Sequence, residues 1–334
     1  NELRQLASTC DITAVETVIQ RRQAVSARFV MGKGKLSELV VLALQRGADL
    51  LIFDQELNPS QVRSITDWTD LRVIDRTQLI LDIFVQRAQS REGKIQVELA
   101  QLNYLLPRLV GKGTAMSRLT GGIGGRGPGE TQLEVDRRRV RKRIAQLEKL
   151  LKAIRKQRTQ RRAKRKKKGL PIVSIVGYTN AGKSTLLNTL TDSSVLVESK
   201  LFATLDPTSR RKRLPRDAEI IITDTVGFIK KLPQELVAAF HATLEELQDA
   251  DLLIHLIDIS NPDFAGQIES VERILGELHL DRIPMLRVFN KKDRLAGSTV
   301  QRLCRRWDCM AVSAKDKDSL GLLLNKIEAH IGSS

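Results

Sequence analysis

The segment Gly177-Tyr-Thr-Asn-Ala-Gly182-Lys183-Ser184 constrains this chain more than any other, because it joins an apolar strand-like run at 171–176 to a helix-like run at 185–190. A glycine-rich turn in that setting lets backbone N–H groups close on an anion, and the helix N-terminus adds its positive end. In the pattern G-x-x-x-x-G-K-[ST], the lysine sets a point charge on the β- and γ-phosphates and the hydroxyl ligates magnesium. The expected phosphate-binding residues are Gly177, Tyr178, Thr179, Asn180, Ala181, Gly182, Lys183, Ser184 and Thr185, with Lys183 also catalytic. Such a turn belongs to a doubly wound α/β domain. Strand-like runs at 219–223, 252–259, 285–289 and 310–312 alternate with helical patterns, ending in a helix at 320–331, as that fold requires.

Three shorter segments stand at the ends of these strands. Asp224-Thr225-Val226-Gly227 offers a carboxylate, Asp224, that reaches the metal through water, and a Gly227 N–H that senses the γ-phosphate. Asn290-Lys291-Lys292-Asp293 offers a carboxylate at Asp293 that accepts both donors of the guanine edge, a pair that adenine lacks. Ser313-Ala314-Lys315, one strand later, is expected to bring backbone N–H groups to guanine O6. Each of these three is weak alone, but with the phosphate loop they make four signals in order, which point to GTP rather than ATP. Gly122-Ile-Gly124-Gly-Arg-Gly127 also satisfies a dinucleotide pattern, but no strand precedes it. Gly32-Lys33-Gly34-Lys35 is read as a helix cap and turn, with a phosphate contact as the minor reading.

The net charge is +17, and its position matters more than its size. Between 137 and 168 there are eighteen Lys or Arg and a single acid, Glu148, while the remaining bases and acids balance at 38 each. A helical pattern at 95–109 and another at 140–154 each carry one apolar stripe, so they are expected to bury each other as an antiparallel hairpin. Eight glycines lie in the connection at 110–129, and the basic helix occupies 130–168. The hairpin thus spans 91–168, between a small α/β domain at 1–90 and the nucleotide domain at 169–334. In the first domain, strands are expected at 14–20, 48–53 and 71–74, and helices at 35–46, 60–68 and 77–88. The basic stretch contains no aromatic residue, which argues for phosphate contacts to structured RNA rather than base stacking.

Composition excludes other classes. Cys10, Cys304 and Cys309 are odd in number and lack zinc-ligand spacing, so neither a disulfide framework nor a zinc site is indicated. No apolar run approaches the roughly 20 residues of a membrane span. A cytoplasmic protein is expected, and an organellar form stays open because Asn1 is not an initiator methionine.

These motifs carry a family resemblance. Gly-Tyr-Thr-Asn-Ala-Gly-Lys-Ser-Thr at 177–185, Phe-Ala-Thr-Leu-Asp-Pro-Thr at 202–208 and Asp-Thr-Val-Gly-Phe-Ile at 224–229 resemble the HflX family of ribosome-associated GTPases. Met31-Gly-Lys-Gly-Lys-Leu36, Val73-Ile-Asp-Arg-Thr77, Gln96-Val-Glu-Leu-Ala-Gln-Leu102 and the run at 125–134 are similar to that family's N-terminal domain and linker. The resemblance implies that Phe202, Ala203, Thr204, Leu205 and Asp206 form a switch segment in which Thr204 ligates magnesium and is catalytic with Lys183 and Gly227, Thr208 being a competitor for the metal. Ser184, Thr204 and, through water, Asp224 are then the magnesium ligands. Phe228 stands where many GTPases place a water-orienting glutamine, which implies slow hydrolysis without a partner. Asn180 resembles the asparagine of potassium-stimulated GTPases. The partner implied is the large ribosomal subunit with its RNA, the task is splitting or rescuing stalled or idle ribosomes, and the protein is expected to be a monomer. A GTPase assisting ribosome assembly or RNA modification and a GTP-sensing RNA-binding scaffold are the alternatives.

Overall fold

In a computed structural model, the described residues are 2–109, 132–166, 169–192, 201–202, 205, 208–230 and 245–332. The chain divides into two compact units, residues 1–86 with 95–151 and residues 87–94 with 152–334.

The first unit opens with helix α1 (Glu2–Thr9) and continues through α2 (Lys33–Arg46), β1 (Leu50–Phe53), α3 (Pro59–Thr69), β2 (Arg72–Asp75) and α4 (Arg76–Arg87). Strands β1 and β2 pair in parallel, Leu50 opposite Arg72, with α3 as the crossover. Asn58 starts α3 because its side chain accepts the Gln61 N–H while the Gln61 side chain accepts the Asn58 N–H, a reciprocal cap next to Pro59. Phe29, Leu36, Leu51, Leu57 and Ile65 form the core. The carboxylate of Asp75, wholly buried, accepts the N–H of Leu57 at 2.9 Å and the hydroxyl of Tyr104 at 3.0 Å, which ties α5 (Arg91–Leu105) to the end of β2. Helix α6 (Gln132–Lys166) meets α5 through a two-pronged pair in which Arg143 donates to Glu98 at 2.6 and 2.8 Å.

The strand expected at 14–20 does not form. Two of its apolar residues lack a surface to cover, Val15 being 50% and Ile19 79% exposed, and the two-stranded sheet is β1 with β2. Alternating apolar residues make a strand only where a neighbouring strand and a buried face receive them.

The second unit is a six-stranded sheet in the order β4-β5-β3-β6-β7-β8. Its strands are β3 (Ile172–Gly177), β4 (Thr208–Arg213), β5 (Glu219–Asp224), β6 (Leu252–Asp258), β7 (Met285–Asn290) and β8 (Met310–Ala311). All neighbours run parallel except β4, which pairs antiparallel with β5 at the edge. On one face, Val173, Ile175, Ile254 and Leu256 pack with Leu186, Leu187 and Leu190 of α7 (Lys183–Thr191) and with Leu323 and Ile327 of α10 (Gly321–Gly332). On the other, Ile257 and Phe289 pack with Ile268 of α8 (Phe264–Glu277) and with Leu303 and Trp307 of α9 (Gly297–Trp307). Helices on both faces of a mostly parallel sheet put the carboxyl ends of β3, β5, β6 and β7 at one edge, where such folds bind ligands.

Leu187 is wholly buried in the first of these clusters. Leu187→Ala is expected to lower unfolding stability by about 2–5 kcal/mol. Urea denaturation should show this as a lower midpoint with an unchanged slope.

Candidate nucleotide site

The turn after β3 is held in shape before any phosphate is considered. Gly182 has φ +96°, and a Cβ there would stand 2.4 Å from Asn290 Nδ2, so two separate demands require glycine. Asn290, itself buried, donates from Nδ2 to Ala181 O at 2.7 Å and accepts the Ala314 N–H on Oδ1 at 2.8 Å. One carboxamide therefore joins the glycine turn, the end of β7 and the segment after β8. The Ala314 N–H, one of the donors expected at guanine O6, is given to Asn290 here.

Lys291 continues this framework. Its ammonium donates to Asn180 O at 2.9 Å and pairs with Asp258, at the end of β6, at 2.6 Å. Asp258 carries no motif signature, and only the sheet register, which sets it opposite Asn290, makes it legible as a partner. Asp293 accepts the Ser313 hydroxyl at 2.6 Å, which holds its carboxyl below the ordinary carboxylate range, and it is exposed at the surface. An ionised carboxylate with free acceptor directions is what two guanine donors require. Lys292 lies in the turn leading to Asp293.

Lys183 and Ser184 begin α7, and both side chains are buried. Lys183 Nζ donates to Tyr178 O at 3.0 Å. Burial pushes its ammonium down to about 8, and the nearby Asp224 acts in the opposite direction. Ser184 Oγ donates to Asp224 Oδ2 at 2.6 Å, so two hard oxygen donors already face one another. Thr225 Oγ1 donates to Ile175 O at 2.8 Å, which fixes the strand end behind them. Gly227 is packed so closely that a Cβ would lie 2.8 Å from Thr179 Cγ2 and 3.1 Å from Lys183 Nζ. Val226 and Phe228 on either side are buried.

Of the expected switch segment, Ala203, Thr204 and Asp206 lie outside the described residues. Phe202 and Leu205 have buried side chains. Thr208 opens β4 and stands opposite Asp224 in the register. His255, in the middle of β6, is held neutral by burial and by the nearby charges of Arg287 and Lys183, its value falling to about 3. It cannot exchange protons at neutral pH. Among the described residues there is no cluster of three or more His, Cys, Asp or Glu suited to a metal, and no helix long and apolar enough to cross a membrane.

A glycine turn closing on a buried lysine, a serine and carboxylate pair beside it, and an exposed carboxylate in an Asn-Lys-Lys-Asp turn are the marks of a P-loop protein that binds guanine nucleotides. Residues 172–291 match the family described as 50S ribosome-binding GTPase, residues 1–85 the GTP-binding GTPase N-terminal family, and residues 87–165 the GTP-binding GTPase middle region. The chain is 49% identical to GTPase HflX of Caldanaerobacter subterraneus subsp. tengcongensis, over 99% of its own length and 76% of that relative's. It is 50% identical to GTPase HflX of Alkalihalophilus pseudofirmus, over 98% and 77% of the two lengths. Among solved structures, it is similar to a GTP-binding protein from the archaeon Sulfolobus solfataricus in complex with GDP, with 25% identity, a TM-score of 0.50, and 99% and 95% of the two chains covered. The chain belongs to the HflX family of GTPases, and it binds and hydrolyses GTP.

The lysine supplies a pH test. Its value in the nucleotide-free protein lies below the free value of 10.5, so the proton leaves as pH rises through about 8. Phosphates favour the charged ammonium and draw the proton back. GDP binding at pH 8 should therefore take up protons, and affinity should be level below that pH and fall above it. Calorimetry in two buffers of different ionisation enthalpy measures the uptake; proton release on binding would contradict the assignment.

Proposed function

We propose that this GTPase docks on the large ribosomal subunit through its basic helix, with GTP controlling the affinity, and that it acts by separating or rescuing stalled or idle ribosomes. The observation that carries the partner is the concentration of the whole net charge in residues 137–168, without an aromatic side chain. Seventeen net positives on one stretch repel one another and attract a phosphate backbone. The match of residues 172–291 to a family described by 50S ribosome binding supports the same partner. In this reading residues 1–90 and 91–168 form the RNA-facing parts, residues 169–334 the nucleotide-responsive part, and the protein works as a cytosolic monomer.

Within the nucleotide part, the assignment of roles is also a proposal. The amides of 177–182 and the Lys183 ammonium hold the β- and γ-phosphates, and Asp293 reads guanine while the Lys291 stem and the Asn290 bridge keep its turn in place. Ser184 and Asp224 fit magnesium, because both are hard oxygen donors, already 2.6 Å apart, of the kind that leaves most of the coordination shell to phosphate and water. Thr204 is the further ligand proposed. Bound magnesium would neutralise charge developing on the phosphate oxygens. The Gly227 N–H meets the γ-phosphate, and its release on hydrolysis frees the segment behind it. Phe228 has no hydrogen-bonding group with which to orient water, so the protein depends on its partner for full speed. At Asn180 the carbonyl oxygen accepts the Lys291 ammonium, and magnesium is the one cation in this reading.

Co-sedimentation with ribosomes tests the partner. Binding is expected with a non-hydrolysable GTP analogue, to weaken with GDP, and to fall steeply between 50 and 200 mM salt, by about a hundredfold or more. A flat salt response, or binding confined to precursor particles, would contradict it. Guanine reading has its own test: Asp293→Asn should lose GTP affinity by about a hundredfold or more and gain xanthosine triphosphate, whose C2 carbonyl suits an amide donor. Competition binding with the two nucleotides measures the exchange.

A further inference from the structure

Tyr178 occupies a position that the phosphate-loop pattern leaves open to any residue. Its side chain is nonetheless buried, and the phenol oxygen accepts the backbone N–H of Lys230 at 2.7 Å. On the other side of the same residue, its carbonyl oxygen accepts Lys183 Nζ at 3.0 Å. One residue thus touches the ammonium of the phosphate site and the chain three residues beyond Gly227.

Two backbone bonds run beside this contact. Thr179 N–H donates to Phe228 O at 2.7 Å, and Phe228 N–H donates to Gly177 O at 3.1 Å, making a parallel bridge between Tyr178 and Phe228. Ahead of Gly227 the chain is fixed by the Thr225 hydroxyl on Ile175 O. Behind it, Phe228 is held by these two backbone bonds and by burial of its side chain, and the Lys230 N–H is held by the phenol. Lys230 also pairs through its ammonium with Asp263, just before α8. Between these anchors, Gly227 lies close against Thr179, where even a methyl group would collide.

We propose that Tyr178 is a positioning residue for GTP hydrolysis: its phenol oxygen holds the Lys230 backbone, and through it the Gly227 amide, at the place where a γ-phosphate is met. GDP has no γ-phosphate and makes no demand on that amide. The hydroxyl therefore governs hydrolysis, and retention of GDP is left to the loop amides and Lys183. The inference rests on the assignment of 177–184 as the phosphate loop.

Tyr178→Phe removes only the hydroxyl. Single-turnover GTP hydrolysis by the full chain is expected to fall about tenfold, with GDP affinity kept to about twofold. Hydrolysis within about twofold of the unmodified protein overturns the proposal, and so does a parallel loss of hydrolysis and GDP affinity, which would mark a merely structural role. Asp263→Ala, which breaks the ammonium pair of Lys230 but leaves its N–H on the phenol, should not reproduce the loss; an equal loss would assign the effect to the ion pair instead. Lys183→Ala separates a failure of the underlying assignment, because GDP binding that survives it would remove the phosphate loop from its place. A second measurement keeps the hydroxyl of Tyr178 in place. The chain has two tyrosines, Tyr104 and Tyr178, so 3-fluorotyrosine labelling gives two fluorine resonances, assigned with Tyr104→Phe. The Tyr178 resonance should move between the GDP form and the magnesium form of a non-hydrolysable GTP analogue. An identical position in the two states would overturn the proposal.

Discussion

The carboxamide of Asn290 is the interaction on which the nucleotide end of the protein depends. Buried at the end of β7, it gives its N–H to Ala181 and takes the N–H of Ala314. Neither bond is long-range in space, but they join stretches separated by 109 and 24 residues of sequence. An amide can do this because it offers donors and an acceptor in one plane. The same contact forbids a side chain at position 182. The Lys291 bridge from Asp258 to Asn180 lies one residue further on and repeats the tie between strand ends and glycine turn. A loop held open by such bonds has less ordering to do when phosphate arrives, and binding energy is not spent on shaping it.

Positive charge is distributed in two regimes. Lys183 is a single ammonium in a buried place, where burial lowers its hold on the proton and the nearby Asp224 strengthens it. A phosphate supplies the missing counter-charge at close range and in low dielectric, where it is felt strongly. The basic stretch is the opposite case: many charges along one run of sequence, which act together on an extended anion and are weakened by salt. The first regime suits a small nucleotide, the second a long polyanion.

Much of the second unit was legible because its chemistry is carried by backbone-permissive glycines and by strand ends, and both leave marks in a sequence. Strands β3, β5, β6 and β7 were expected within one or two residues of where they lie. Strand β4 was not expected: Thr-Ser-Arg-Arg-Lys-Arg has no apolar face, since it lies at the sheet edge and owes its form to ladder bonds with β5. The reverse error occurred at 14–20, where an apolar alternation met no neighbouring strand. Asp258 and the phenol of Tyr178 were missed as partners for a different reason. Each acts on a residue far away in sequence, through a register or a close approach that only the folded sheet defines.

The central claim is that one glycine turn and one distant carboxylate together select a guanine nucleotide. Titration calorimetry of the purified protein in magnesium, with GDP and ADP in turn, tests it most directly. The account predicts heat of binding with GDP at one site per chain and an affinity for ADP weaker by about a hundredfold or more. Equal affinities for the two nucleotides, or no binding of GDP, would contradict it.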